Sequence, residues 1–323
     1  MEMRSYIARK SVYLVITLFA ILTFNFFLFR IMPGDPARAF LPRSNNKYLL
    51  QAIREKFDLD EPLHIQFIHY LQNTFTGDFG ISITITKGAP ITDMLGPYII
   101  NTVLLLGIGT ILAIFFGVML GRAAAWRRGK LVDTLGMAFA LTFYSMPTFL
   151  FALIMVLIFY GELQWFDIGV KSENYDTLNF FDQMVDRGRH LVLPVAAFTV
   201  EMMAEYALIM RNSLTDVLTE DYITTARAKG LSNKRILRDH AMRNAMLPVV
   251  TVAAISFGWA IGGDIMVEIV FKFKGLGWLT WEAVSARDFP ILQAIFLIMT
   301  ITVLIGNFIA DILYMYLDPR VKV

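Results

Sequence analysis

The chain is 323 residues long, with 56% of its residues apolar and 17% charged, more oil than a soluble domain usually carries, so it reads as a membrane-integrated protein. It has no cysteine, which excludes disulfides, thiol catalysis and thiolate metal sites. The formal net charge of +2 says little by itself, and the placement of the charges says more.

Residues 1–10 carry Arg4, Arg9 and Lys10 ahead of an apolar run over 11–32, long enough to cross a hydrocarbon core of about 30 Å. Ala37-Arg38-Ala39 could pass for a signal-peptide cleavage site. The run is too long for a typical signal core and more spans follow, so it is expected to stay as an anchor. Pro33-Gly34-Asp35-Pro36 stops the helix, because proline cannot continue its hydrogen-bond ladder. Over 37–97 the composition turns mixed. Segments 48–57 and 63–75 read as amphipathic helices, and Ile81-Ser82-Ile83-Thr84-Ile85-Thr86 alternates like a short strand. Residues 33–98 are therefore expected to form a small extracytoplasmic subdomain inserted after the first span, residues 1–32. His64 and His69 lie five apart and do not share a helix face, which argues against a metal pair.

The second span is expected over 99–121, where Gly107, Gly109, Gly117 and Gly121 would let helices approach closely in lipid. A basic loop follows with Arg122, Arg127, Arg128 and Lys130, then a third span over 131–160, long enough to tilt or to break near Pro147. After an acidic stretch at 161–189, residues 190–210 pose a problem, because Glu201 and Glu205 interrupt the apolar run. Charge topology resolves it. The basic loop at 122–130 and the basic region after Arg211 both belong on the cytoplasmic side, so an even number of spans separates them and 190–210 is the fourth. The fifth span is expected over 247–270, with Gly258, Gly262, Gly263, Asp264 and Glu268. An outer turn over 271–289 contains Gly275-Leu276-Gly277, and the sixth span covers 290–317 with Asn307 and Asp311. The result is an all-α polytopic protein with both termini in the cytoplasm and a core domain over 99–323.

The most strongly charged stretch lies within a cytoplasmic loop at 211–247. Glu220 and Asp221 sit where a helix would begin, and Arg227 and Lys229 where it would end, as the helix dipole favours. Gly230 supplies a left-handed closing residue and Ser232 can cap the next helix. In that helix Ile236, Leu237, His240, Ala241 and Asn244 recur at helical spacing, with Lys234, Arg235, Arg238 and Arg243 on other faces. Three readings of this joint stand side by side: a solvated basic loop, a DNA-reading helix-turn-helix, and a docking element for a cytoplasmic motor. A reader tethered to the bilayer at both ends would rarely reach a groove, so no nucleic-acid partner is expected.

Ala226-Arg227-Ala228-Lys229-Gly230-Leu231, followed by His240, Arg243-Asn244 and Leu247-Pro248, resembles the EAA loop of ATP-binding-cassette (ABC) importer permeases, and more narrowly the dipeptide, oligopeptide and nickel subclass. Thr224 and Thr225 stand where the general motif has Glu and Ala, while Asp221 lies one turn earlier. Pro33-Gly34-Asp35-Pro36, Gly77-Asp78-Phe79-Gly80-Ile81-Ser82, Ala89-Pro90-Ile91, Ser145-Met146-Pro147, Glu268, the Asn307 to Asp311 pair and Asp318-Pro319-Arg320 extend the resemblance over essentially the whole chain. It implies six transmembrane helices of type I importer architecture in the cell membrane. It also implies that Asp221, Ala226, Arg227, Ala228, Lys229, Gly230, Leu231 and Ser232 couple to an ATPase. The implied partners are a second homologous permease subunit, two ABC ATPase subunits and an extracytoplasmic substrate-binding protein. Gly129-Lys130 is followed by Leu131 and lacks the upstream glycine of a phosphate-cradling loop. The chain is thus expected to be no enzyme and to bind no cofactor, with ATP and Mg on partner subunits.

Carboxylates within lipid cost a few kcal/mol each on insertion scales and should face protein or a watery path. Glu201 and Glu205 share a helix face, as do Asp264 and Glu268, and with Asn307 and Asp311 they are the expected translocation path. The alternative is that they bridge helices or pair with arginines such as Arg211. A different class of function, an ion-coupled carrier using the same acids, also fits, as does a scaffold whose working part is the external subdomain. Peptide is the subclass's commonest implied substrate, with nickel complexes and oligosaccharides beside it.

Overall fold

Inside a bilayer the chain must satisfy its own backbone donors and acceptors, and helices do so segment by segment. The computed structural model describes residues 3–31, 60–259 and 262–317. The expectations for Pro33-Gly34-Asp35-Pro36, for a helix over 48–57 and for Asp318-Pro319-Arg320 lie outside the described residues. The first helix, α1, spans Met3–Ile31. It is followed by α2 (Leu63–Thr76), α3 (Ile91–Trp126) and α4 (Leu131–Ser145). Next come α5 (Thr148–Met155), which widens into a π-helical segment Val156–Glu162, and the long α6 (Phe180–Val217). Then follow α7 (Asp221–Ala228), a helical turn Asn233–Arg235, a π-helical segment Ile236–Ala241 and α8 (Met242–Trp259). The chain closes with α9 (Ile265–Val270), α10 (Leu276–Ala286) and α11 (Phe289–Leu317). Among the described residues five helices are long and apolar enough to cross a membrane, and six if the bent pair α4 and α5 forms one span.

That pair bends by 101° at Met146, which holds φ −83° and ψ 130°, the extended conformation that a following proline imposes. Pro147 then starts α5. Residues 190–210, where Glu201 and Glu205 interrupt the apolar run, lie within α6, which is long and apolar enough to cross a membrane and whose start is capped by Asn179 Oδ1 accepting from the Asp182 amide at 2.9 Å.

Helices in lipid gain little from leaving it, so they associate by close packing. Along α3, Gly109, Gly117 and Gly121 meet α6. A Cβ on Gly117 would lie 2.6 Å from Tyr206 Cβ and 2.7 Å from the Met203 carbonyl, and one on Gly121 would lie 2.8 Å from Met210 Cβ. Gly107 faces open space. A second seam joins α8 to α11, where a Cβ on Gly258 would lie 3.1 Å from Gly306 Cα. At one end of the bundle Arg211 of α6 forks onto Asp133 of α4, Nε to Oδ1 at 2.6 Å and Nη2 to Oδ2 at 2.9 Å, while the Gly129 amide donates to Oδ2 at 3.0 Å. Arg211 therefore serves Asp133, an acid in the first turn of α4, and not the intramembrane acids considered as its partners.

Several expectations change. Residues 81–86 form no strand: there is an isolated bridge between Ile81 and Pro90, and the amides a strand would offer to a neighbour point at Asp288 instead. The fifth span ends at Trp259, and the acids assigned to it lie on a separate short helix. The outer turn at 271–289 contains α10, and Phe271 and Phe273 beneath it are buried. The second span is longer than 99–121 at both ends.

Gly117→Leu is expected to destabilise the protein by about 1–3 kcal/mol through overpacking, whereas Gly107→Leu should be tolerated; thermal melts of the two detergent-purified variants check this. Arg211→Met, which strands the buried Asp133 carboxylate, should cost about 3–5 kcal/mol. Asp133→Asn/Arg211→Met together should recover part of that loss in the same melts.

Candidate functional site

The joint between α6 and α8 is built as the charges suggest. Asp221 lies in the first turn of α7 and Arg227 in its last, each matching the helix dipole. Gly230 holds φ +76°. Its amide bonds the Arg227 carbonyl at 2.9 Å and the Leu231 amide reaches the Ala226 carbonyl at 3.3 Å, so the glycine closes α7 in a left-handed cap. Ser232 precedes the next turn, but its hydroxyl makes no capping bond. The Arg235 amide it would have capped is already bonded to the Ser232 carbonyl at 2.9 Å.

The joint has two faces. Ile223, Ala226, Ile236 and Ala241 are buried in one cluster with Tyr206, Met210 and Leu214 of α6 and Ala245 and Val249 of α8. Leu231 packs against that cluster, and Asn244 Nδ2 donates to Tyr222 Oη at 2.8 Å, tying α7 to α8. The other face exposes Asp221, Arg227, Ala228, Lys229, Gly230 and Ser232. The second helix of the joint is not a separate piece: from Asn233 it runs on into the fifth span. A push on the exposed face therefore acts directly on two transmembrane helices.

The intramembrane acids are spread over three settings. Glu201 of α6 accepts from Thr148 Oγ1 at 2.5 Å, at the start of α5, and its other oxygen is buried without a partner. Glu205, one turn on, is partly buried. Asp264 caps α9 by accepting from the Val267 amide at 3.0 Å, within electrostatic range of both Glu201 and Glu268. Glu268 is fully enclosed. Its Oε1 accepts from Thr102 Oγ1 at 2.8 Å and its Oε2 from the Trp278 amide at 2.8 Å, while Thr102 Oγ1 accepts from the Leu276 amide at 2.7 Å. A Cβ on Gly275 would lie 2.6 Å from Glu268 Oε2, so the Gly275-Leu276-Gly277 turn exists to let the backbone reach that carboxylate. Asn101 Nδ2 adds a bond to the Lys274 carbonyl at 2.8 Å. Asn307 is exposed on α11, and Asp311 pairs with Lys10 of α1 at 2.6 Å. The structure thus sets Glu201 beside the bend in the third span and Asp264 and Glu268 on α9 after the fifth, and it leaves Asn307 and Asp311 on α11. Sequence reasoning passed over Asp133 and Asp288; an acid in the first turn after a basic loop was the available signal for the first. Among the described residues no group of three or more His, Cys, Asp or Glu side chains could hold a metal ion.

Residues 113–323 match the family described as binding-protein-dependent transport system inner membrane component, and residues 3–90 match the N-terminal part of such membrane components. The chain is 34% identical to the oligopeptide transport system permease protein AppB of Bacillus subtilis, covering 99% of this chain and 100% of that one. It is 33% identical to the glutathione transport system permease protein GsiC of Salmonella typhimurium, covering 99% of each. Its fold is similar to that of the MetNI methionine ABC transporter in an inward-facing conformation, with a TM-score of 0.54 and 16% identity over 71% of this chain and 98% of that one. The six-span helical architecture, the motif-bearing joint and the full-length likeness agree: this chain belongs to the family of binding-protein-dependent transport system inner membrane components, the multi-pass permease subunits of ABC importers.

Proposed function

We propose that this subunit forms half of a pathway that imports peptides, driven by ATP hydrolysis on partner chains. Relatives named for oligopeptide and glutathione transport support the substrate class, and nothing in the acids favours nickel complexes or oligosaccharides. A second homologous permease completes the pathway. Two ATPase subunits bind ATP and Mg, and one of them seats on the exposed face of this joint, Asp221, Arg227 to Gly230 and Ser232, while Ala226 and Leu231 of the same motif hold its packed side. An extracytoplasmic binding protein delivers substrate to the opposite end, to which we assign residues 60–98 and the α9–α10 region. Both termini are then cytoplasmic.

The observation that carries this reading is the burial of Ile223, Ala226, Ile236 and Ala241 among α6 and α8 side chains. ATPase closure displaces the joint, and because its underside is part of the helix core, α6 and α8 move with it as a rigid lever. The path runs past Glu201, Glu205 and Asp264, with Glu268 setting the shape of its outer wall and Asn307 and Asp311 lying on the α11 side. Glu201 keeps one buried oxygen without a partner, which meets the ammonium of a passing peptide only when the helices around it part. An ion-coupled carrier is the weaker reading: family membership supplies an ATPase, and Asp264 and Glu268 already accept backbone amides.

Gly230 gives a clean test, because a Cβ there meets nothing within 4 Å and only the left-handed backbone is at stake. Gly230→Val should cost the joint about 1–3 kcal/mol and lower ATPase co-purification and substrate-stimulated hydrolysis, with helical content unchanged. Gly230→Asn, a residue that tolerates this conformation, should retain most of both. Normal coupling in Gly230→Val would contradict the reading.

A further inference from the structure

Asp288 lies between α10 and α11 and is completely buried. A buried carboxylate is expected to meet a cation, yet no salt bridge to Asp288 is present among the described residues. Instead its Oδ2 accepts from three successive amides, Ile83 at 3.0 Å, Thr84 at 2.8 Å and Ile85 at 3.1 Å, and from the hydroxyls of Ser82 at 2.7 Å and Thr84 at 3.2 Å. Successive amides converging on one point make an anion nest, and here the chain fills it with its own side chain from more than 200 residues away. The segment that supplies the amides is a closed loop: the Ser82 amide bonds the Ala89 carbonyl at 3.0 Å and the Ile91 amide bonds the Gly80 carbonyl at 3.0 Å. On the other side, Arg287 holds φ +56°, unusual for a residue with a side chain, and so turns Asp288 inward. Oδ1 of Asp288 is buried with no partner. The left-handed Arg287 is accounted for locally, as the cap that closes α10 with its amide on the Val284 carbonyl at 3.2 Å and the Asp288 amide on the Ala283 carbonyl at 2.9 Å, so the idle carboxylate oxygen is the feature of this corner that local hydrogen bonding does not explain.

The corner is also connected. The opposite end of α10 is fastened by Glu268 to α3. From Asp288, α11 runs past the Gly258–Gly306 contact with α8, and α8 is continuous with the joint. We propose that Asp288 is the positioning residue that transmits binding-protein docking to the transmembrane helices, by locking the 80–91 loop and the α10–α11 corner into one body. The inference rests on the importer reading above and adds the contact through which the signal enters.

The test uses the full complex, both permeases and both ATPases, in nanodiscs, with ATP hydrolysis measured with and without the substrate-loaded binding protein. Asp288→Ala should reduce the binding-protein-stimulated rate about tenfold or more, a factor typical of coupling between sites. The unstimulated rate and subunit assembly should be unchanged. Because the native chain has no cysteine, Ser82→Cys with Asp288→Cys allows the latch to be closed by a short thiol cross-link and reopened by reduction in one folded sample. Stimulation should return on closing and vanish on reopening. Stimulation that survives in Asp288→Ala, or that is equal in the linked and reduced forms, overturns the proposal. So does an equal fall of stimulated and unstimulated rates. A wild-type complex that shows no stimulation at all sinks the importer reading itself, a separate result.

Discussion

The close approach of α3 and α6 is the constraint on which the rest depends. Lipid tails solvate leucine as well as a neighbouring helix does, so two apolar helices stay together only where their surfaces interlock. Gly109, Gly117 and Gly121 remove side chains where the α6 backbone passes, and the two helices meet along most of their length. With α6 fixed, its far end positions Arg211 against Asp133 of α4 and its inner face presents Tyr206, Met210 and Leu214 to the joint. The joint is thereby a continuation of the core.

Against this rigid pair, the third span is broken and the fifth stops short of its acids. Pro147 breaks the third, and the fifth ends at Trp259 before α9 begins. Backbone groups left at helix ends need partners in a medium without water, and two of the intramembrane acids meet that need: Asp264 caps α9, and Glu268 receives the amide of Trp278 near the start of α10, while Glu201 accepts from the side-chain hydroxyl of Thr148 at the start of α5. The same carboxylates that look like a transport path in one dimension are thus partly the fastenings of interrupted helices. Glu201 alone of the three keeps one buried oxygen without a partner.

Much of this was legible in the sequence because it is written locally. The spans follow from apolar length, the fourth from loop charge in spite of Glu201 and Glu205, the bend from Pro147, and the turn of the joint from Gly230. Gly117 and Gly121 were readable as close-packing residues, but nothing local distinguishes them from Gly107, since only the path of α6 decides which face is crowded. The alternation of residues 81–86 suggested a strand because hydrophobic period does not reveal what the backbone amides will bond. Their acceptor, Asp288, lies more than 200 residues away. The pairing of Arg211 with Asp133 and the enclosure of Glu268 are likewise tertiary facts, set by how the helices cross.

If the chain is a lever between two faces of a membrane, the joint and the Asp288-held loop must lie on opposite sides of it. Single cysteines in this otherwise cysteine-free chain, at exposed Lys229 and exposed Lys87, can be labelled with a membrane-impermeant thiol reagent in intact cells and in inverted vesicles. The account predicts that Lys87→Cys reacts from outside and Lys229→Cys reacts only from the cytoplasmic side. Labelling of both from the same side would contradict it.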